Sequence, residues 1–214
     1  MIEKVANFTL KPNIRTLLIE DSMLNVRNLH SILRTQFAQK IIALKLPRNT
    51  LGDAGISFLF ESDDRLCHLQ KLDLSSNLIT KVGAEKIAEA TKLTKLRVLD
   101  LCSNKLKDEG FSFLILSRNF PALIDLRLDT NEIEEAGAQA LTHNCNLELR
   151  KLTIRSNSFK MKGCQYVQIY AFRDLQELNM SRNGIMNEGV AKLADASYLR
   201  NLVKLCLDDN LLSE

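Results

Sequence analysis

The chain has 214 residues, of which 45% are hydrophobic and 26% charged, and its formal net charge is +3. This length can bury a sizeable core in one or two domains, and the composition excludes disorder over most of it. No stretch approaches the roughly 20 apolar residues of a membrane span. Residues 1–7 lack the apolar region of a secretory signal, and the small net charge does not favour nucleic acid.

A nine-residue segment with the pattern L-x-x-L-x-L-x-x-N recurs along most of the chain. Seven copies align without gaps: IIALKLPRN (41–49), LQKLDLSSN (69–77), LRVLDLCSN (96–104), LIDLRLDTN (123–131), LRKLTIRSN (149–157), LQELNMSRN (175–183) and LVKLCLDDN (202–210). Their closing asparagines are spaced by 28, 27, 27, 26, 26 and 27 residues. The alternation of apolar and polar residues within each copy predicts a short strand with one buried face.

A second pattern follows these segments. A glycine lies six positions after each of the first six asparagines, at Gly55, Gly83, Gly110, Gly137, Gly163 and Gly189. The apolar period then becomes helical, as shown by Ala84, Ile87 and Ala88. We expect each glycine to be a backbone-permissive position that leads into the helix. One strand and one helix bury their apolar sides only by stacking on neighbouring repeats.

These segments, the glycine link and the helical remainder resemble the ribonuclease-inhibitor-like class of leucine-rich repeats over residues 41–212, with a degenerate copy at 14–40. The resemblance implies an α/β solenoid of about eight repeats, with a parallel β-sheet on the concave face and α-helices on the convex face. Strands about 4.8 Å apart and helices 8–10 Å apart bend such a stack into a horseshoe.

We predict a single leucine-rich-repeat domain over residues 1–214. Residues 1–13 form an N-terminal cap segment, and residues 14–40 form a degenerate first repeat with Ser22 at the asparagine position. Residues 41–201 form six full repeats, and residues 202–214 form a partial last repeat. A solenoid needs a polar terminal repeat, so we expect a fragment of a longer array. The alternative is a minimal cap made by Leu211 and Leu212.

The asparagine column is predicted to be a structural ladder. A buried amide can satisfy backbone groups that are freed where the chain turns away from a strand, and seven catalytic groups in strict register are the less favoured interpretation. The sequence lacks both glycine-rich phosphate-binding motifs, so it predicts no nucleotide site and no cofactor. The ladder residues are Asn49, Asn77, Asn104, Asn131, Asn157, Asn183 and Asn210.

The solvent-facing side of the sheet is predicted to carry charges of both signs. Strand alternation places positions three, five and seven of each segment on this concave face, with position eight at its rim. The near balance of charge and the absence of aromatic residues argue against nucleic acid and favour a protein partner with complementary charges. The alternative is that these charges pair across strands without further function. The predicted partner-binding residues are Lys71, Asp73, Asp100, Asp125, Arg127, Asp129, Lys151, Arg155, Glu177, Arg182, Lys204 and Asp208.

Catalysis and metal binding have little support in the residue pattern. Cys102 and Cys206 are candidate nucleophiles on the concave face, but none of the three histidines maps there. A metal site made by His143 and Cys145 lacks further ligands at a suitable spacing. We therefore expect no enzyme activity and no metal. Widely spaced cysteines also predict free thiols in the cytoplasm, with the nucleus as an alternative.

The sequence thus predicts a non-catalytic protein-protein interaction scaffold that binds another protein through the concave face. We expect a monomer in isolation, without membrane insertion or nucleic acid. One alternative is a GTPase-activating protein resembling the Ran GTPase activator, although the long acidic tail of that family is missing. Another is the repeat or sensor fragment of a larger receptor, actin-regulating or bacterial effector protein.

Overall fold

A computed structural model describes residues 14–60, 64–142, 147–167 and 172–213. It confirms the predicted α/β solenoid, because eight parallel strands form one sheet in sequence order and a helix separates each strand from the next. The N-terminal cap segment predicted at residues 1–13 lies outside the described residues.

Each strand has three residues, and its central leucine aligns with the central leucine of the neighbouring strand, as in the pair Leu99 and Leu126. The chain turns toward the helical side directly afterwards, so each repeat adds one rung to the sheet. The strands are β1 Thr16–Leu18, β2 Ala43–Lys45, β3 Lys71–Asp73, β4 Val98–Asp100, β5 Asp125–Arg127, β6 Lys151–Thr153, β7 Glu177–Asn179 and β8 Lys204–Cys206.

Within the described residues, seven α-helices lie on the convex side and pack against one another in sequence order. They are α1 Val26–Leu33, α2 Gly52–Phe60, α3 Lys81–Ala88, α4 Lys107–Leu116, α5 Glu135–Ala138, α6 Lys160–Tyr166 and α7 Asn187–Ala194. Short 3-10 turns at Gln36–Lys40, Asp64–Leu66, Gln139–Thr142 and Ser197–Leu199 complete four of the connections.

One continuous hydrophobic core runs between the sheet and the helices. The central strand leucines from Leu44 to Leu178 are closed to solvent, whereas Leu205 of β8 is 41% exposed. Four phenylalanines also lie in the core, and the rings of Phe111 and Phe159 meet edge to face at 5.9 Å. Stacking therefore buries the apolar side of each interior repeat, as the amphipathic pattern requires.

Each amide of the asparagine ladder joins two successive repeats. The Oδ1 atom of Asn104 accepts hydrogen bonds from the backbone N–H groups of Asn77 and Ile79, both at 3.0 Å. Its Nδ2 group donates to the backbone oxygens of Leu74 and Leu101 at 3.1 and 2.9 Å. One side chain thus accepts and donates the hydrogen bonds that backbone N–H and C=O groups need where the chain turns away from the strands.

Two backbone arrangements alternate from repeat to repeat. The repeats are numbered from residues 14–40 as the first. In odd-numbered repeats the residue after the asparagine position has positive φ, at Met23, Leu78, Glu132 and Gly184. In even repeats the third residue after it has positive φ, at Gly52, Lys107 and Lys160, and its N–H donates to the backbone oxygen of the next ladder asparagine at 2.9–3.0 Å. The structural unit is therefore a pair of repeats, which the nearly constant spacing conceals.

This alternation changes the hydrogen bonding of the ladder. Asparagines that follow an odd repeat accept two backbone N–H groups, as Asn104 and Asn157 do at 3.0 Å. Of those that follow an even repeat, Asn131 and Asn183 each accept one longer bond, at 3.4 and 3.3 Å. The Oδ1 atom of Asn77 is buried and has no partner within the described part of the chain.

Even repeats also supply a cap to the following helix. The Oδ1 atom of Asp53 in α2 accepts the N–H groups of Thr80 and Gly83, at 2.8 and 3.0 Å, at the start of α3. Asp108 in α4 accepts the N–H of Glu134 at 2.7 Å, before α5. Carboxylates at a helix N-terminus satisfy free N–H groups and favour the positive end of the helix dipole. The equivalent residue of the sixth repeat is Met161, which offers no oxygen.

The glycines that lie six positions after the ladder asparagines are required for a different reason from the one predicted. These residues lie within the first turns of the helices, and none of them has positive φ. A Cβ atom on Gly137 would lie 2.5 Å from Oδ1 and 2.9 Å from Cα of Asp108, in the neighbouring helix. At Gly110 it would lie 3.2 Å from the Cβ of Ala84. The interpretation as backbone-permissive positions was wrong at these sites, where close approach between packed helices excludes a side chain.

Replacing ladder asparagines should destabilise the chain in proportion to their hydrogen bonds. We expect Asn104→Ala to lower the free energy of unfolding by about 3 kcal/mol, because it leaves several buried N–H and C=O groups without partners. Asn77→Ala should cost about 1 kcal/mol less, since no N–H group of the described residues donates to its Oδ1. Urea unfolding followed by circular dichroism measures both, and equal losses would contradict this account of the amide oxygen.

Met161→Asp should stabilise the chain by about 1 kcal/mol, because it restores the cap that Asp53 and Asp108 supply to the odd-repeat helices. The carboxylate would accept the backbone N–H of Met186, the position equivalent to Thr80 and Glu134, before α7, for which the described residues provide no side-chain cap. Met161→Ala is the matched control that removes the methionine without adding an oxygen. Thermal and urea unfolding of both variants measure the gain, and no advantage of aspartate over alanine would refute the capping role.

Candidate functional site

The concave face is the solvent-facing side of the sheet, and its side chains alternate with the core leucines. In β3, for example, Lys71 is exposed, Leu72 is buried and Asp73 is partly exposed. All twelve predicted partner-binding residues are exposed or partly exposed. Three neutral members of the same face, Ala43, Thr153 and Ser181, are buried instead.

Half of the predicted residues are engaged in ion pairs. Arg127 holds Asp125 in a two-pronged contact, with Nη2 2.7 Å from Oδ2, and also lies 3.7 Å from a carboxylate oxygen of Asp100. Lys151 pairs with Glu177 across neighbouring strands at 2.8 Å. At the rim, the Nε of Arg182 lies 2.8 Å from a carboxylate oxygen of Asp209. These residues partly satisfy one another, as the alternative interpretation of the charged face proposed.

The other six predicted residues are not in ion pairs between described side chains. The carboxylate of Asp73 accepts hydrogen bonds from Ser75, and that of Asp129 accepts the backbone N–H of Arg155 at 2.8 Å. Asp208 accepts the hydroxyl of Ser181 at 3.3 Å. Three cations have no hydrogen-bond or ion-pair partner for their side chains within the described ranges. They are Lys71, Arg155 and Lys204.

Two carboxylates of the concave face, those of Asp73 and Asp100, lie side by side on adjacent strands. Burial is the main cause that raises the pKa of Asp100, and the facing carboxylate of Asp73 on the adjacent strand raises it further. The hydrogen bond to Asp125 is the main cause that raises the pKa of Arg127, which therefore stays charged. The hydrogen bond from Lys151 lowers the pKa of Glu177, so this pair is ionised at neutral pH.

The candidate nucleophile Cys102 is poorly suited to catalysis. Burial and the neighbouring carboxylate of Asp100 raise the pKa of its thiol, so little thiolate forms at neutral pH. The two described histidines lie elsewhere: the ring of His30 in α1 packs on Phe58 at 5.2 Å, and His68 lies 3.3 Å from the Nζ of Lys95. No described histidine can therefore act as a base for this thiol.

Metal binding and membrane insertion find no support in the part of the chain that the structure describes. No group of three or more His, Cys, Asp or Glu side chains is arranged there to hold a metal ion. His143 and Cys145, the alternative metal ligands, lie outside the described residues. None of the described helices has the length and apolar character needed to cross a bilayer.

One feature of the face was missed by the sequence interpretation. Thr153 occupies position five of its segment and was expected to be exposed to solvent, yet it is only 9% exposed. Its Oγ1 atom has no hydrogen-bond partner among the described residues. The long side chains two residues before and after it, Lys151 and Arg155, were the available signal, since such side chains can cover a short neighbour.

Family models match two parts of the chain. A model described as "Leucine Rich repeats (2 copies)" matches residues 67–115, and one described as "Leucine Rich repeat" matches residues 173–194. Both regions contain the strand, asparagine and helix pattern described above.

Curated relatives cover most of this chain but a smaller part of their own length. A ribonuclease inhibitor of Mus musculus is 30% identical over 167 residues, which is 74% of this chain and 37% of the relative. The ribonuclease inhibitor of Sus scrofa is 28% identical over 74% of this chain and 32% of its own length. A NACHT, LRR and PYD domains-containing protein of Mus musculus is 30% identical over 69% of this chain and 16% of its own. The chain thus spans about a third of the length of the ribonuclease inhibitors that it matches.

Solved structures support the fold. An internalin from Listeria monocytogenes superposes with a TM-score of 0.56 at 23% identity, covering 82% of this chain and 44% of the internalin. A plant ice-binding protein gives a TM-score of 0.51 at 18% identity, covering 94% of this chain and 58% of its own. The repeat pattern, the parallel sheet, the family models and the relatives agree, and the chain belongs to the ribonuclease-inhibitor-like class of the leucine-rich-repeat family.

Proposed function

We propose that this chain is a non-catalytic interaction scaffold that binds a partner protein through the charged residues of its concave face. Leucine-rich-repeat proteins commonly serve as protein-binding scaffolds, although a fold alone does not specify a function. The observation that carries the proposal is the set of cations on the concave face, Lys71, Arg155 and Lys204, whose side chains form no hydrogen bond or ion pair within the described residues.

The ion pairs of the concave face are compatible with binding. Exposed pairs contribute only about 0–1 kcal/mol each to stability, so a partner can redirect Lys151 or Arg182 toward its own charges at little loss. Complementary charges fix the register of a complex and accelerate its formation more than they add affinity. The face carries no Trp or Tyr at its predicted binding positions, so we expect modest affinity.

The proposal also covers the oligomeric state and the localisation of the chain. We propose a monomer that works in the cytoplasm, with the nucleus as the alternative, and Cys67, Cys102, Cys164 and Cys206 are free thiols in this structure. The GTPase-activating alternative stays a prediction, because none of the relatives named above is described as a GTPase activator.

Reversal of two unpaired cations should abolish partner binding. We expect Lys71→Glu combined with Arg155→Glu to reduce retention of the partner from native lysate by at least about tenfold, because two favourable contacts become repulsive. Quantitative mass spectrometry of proteins captured by the wild-type chain and by the variant measures the change.

The matched control is Arg118→Glu combined with Arg200→Glu, which makes the same charge change at exposed residues outside the concave face. Proteins retained by the wild type and by this control but lost by the concave variant are the expected result. Equal retention by all three chains would move the binding site away from the concave face.

A further inference from the structure

A buried hydroxyl that has no partner among the described residues lies on the concave face, in β6. Thr153 ends β6 and is in register with Arg127 of β5 on one side and Asn179 of β7 on the other. Its neighbours Leu152 and Ile154 point into the core, so alternation directs Thr153 to the concave side. Its Oγ1 atom is closed to solvent and forms no hydrogen bond with any described residue. Buried polar groups are nearly always paired, so an unpaired one needs an explanation.

Two side chains that occupy neighbouring positions on the concave face have hydrogen-bond donors without a partner among the described residues. Arg155 lies two residues after the end of β6, is exposed, and its guanidinium has no acid within ion-pair distance among the described residues. The Oδ1 atom of Asn179 accepts the N–H of Ser181 at 3.0 Å, and this leaves its Nδ2 group without a partner in the described part of the chain. Arg127, by contrast, is already held by Asp125.

Two carboxylates at neighbouring positions of the concave face are already engaged. The carboxylate of Asp129 accepts the backbone N–H of Arg155, and the carboxylate of Glu177 pairs with Lys151 at 2.8 Å. A guanidinium and an amide NH₂ group can only donate, while a threonine hydroxyl can donate as well. The complementary ligand is therefore an anionic acceptor small enough to bridge side chains of the neighbouring strands β6 and β7 on the concave face.

We propose that Thr153, Arg155 and Asn179 form a subsite for a carboxylate side chain of an acidic segment in the partner protein. This inference rests on the proposed function and specifies which chemistry the partner presents. One carboxylate oxygen pairs with the guanidinium of Arg155, and the other accepts the hydroxyl of Thr153 and the Nδ2 group of Asn179. Because Oγ1 is closed to solvent, the subsite requires a covering side chain to move aside when the carboxylate enters.

A carboxylate fits this subsite better than a phosphate. A phosphate monoester carries close to two negative charges and three acceptor oxygens, and it is usually bound by clusters of arginine. Only one unpaired guanidinium is available here, and Lys204 lies two strands away, beyond β7. The single charge of an Asp or Glu side chain matches the single unpaired arginine.

The subsite can be tested with a blocked hexaglutamate peptide, titrated into the full chain and followed by heteronuclear NMR. We expect shift changes centred on β5, β6 and β7. Arg155→Gln should weaken binding by about tenfold, which is the usual contribution of a charge-assisted hydrogen bond. Arg150→Gln is the matched control, because it removes the same charge from an exposed residue just before the same strand.

The hydroxyl is tested separately with two variants of Thr153. Thr153→Val should weaken peptide binding severalfold while raising the midpoint of thermal unfolding by about 2 °C, since it removes an unpaired buried polar group. Thr153→Ser should keep the affinity of the wild type. A merely structural threonine would not couple weaker binding to higher stability in this way.

The following results would overturn the subsite. Equal losses for Arg155→Gln and Arg150→Gln would show non-specific attraction, and unchanged affinity of Thr153→Val would remove the hydroxyl from the site. Tighter binding of a blocked phosphoserine hexapeptide would assign the site to phosphate. If the glutamate peptide fails to bind while the Lys71 and Arg155 reversal still abolishes capture, the carboxylate subsite fails and the proposed function stands. If the peptide binds as expected while captured proteins ignore that reversal, the proposed function fails instead.

Discussion

The spacing of about 4.8 Å between neighbouring strands is the constraint on which this molecule depends. Each repeat contributes one rung of the sheet, so successive repeats must place equivalent atoms at equivalent positions. Central leucines such as Leu99 and Leu126 align for this reason, and each ladder amide reaches the repeat before its own. On the helical side the stacking brings α5 so close to Asp108 that only glycine fits at position 137.

Much of this architecture could be predicted from the sequence, because strand position, apolar face and repeat spacing are all encoded by residue type at a fixed interval. The pairing of odd and even repeats could not, since both kinds have almost the same length and share the same leucine and asparagine positions. The available signals were local helix caps: Thr80 in an odd repeat, and Asp53 and Asp108 in even repeats. A capping aspartate that acts on the next helix is invisible to a search for caps within one helix.

The candidate site was predictable as a surface but not as a set of contacts. Strand alternation fixes which side chains face solvent, and all twelve predicted residues are accessible. Whether a charge is occupied depends on side-chain conformation across strands, so Arg127 and Arg155 look alike in sequence although only Arg127 is held by two acids. The burial of Thr153 likewise depends on the side chains around it in the fold. The sequence alone places this threonine at a solvent-facing strand position and therefore predicts exposure.

The alternation of turn geometry has a consequence for how such an array changes in length. Removing a single unit would join two turns of the same kind, so the backbone N–H of a residue such as Lys107 would no longer meet the asparagine oxygen that it now reaches at 3.0 Å. Removing two consecutive units restores the original junction. Gene duplications and deletions that preserve the fold should therefore proceed in steps of two repeats, and designers who shorten or extend this scaffold should cut it at the same interval.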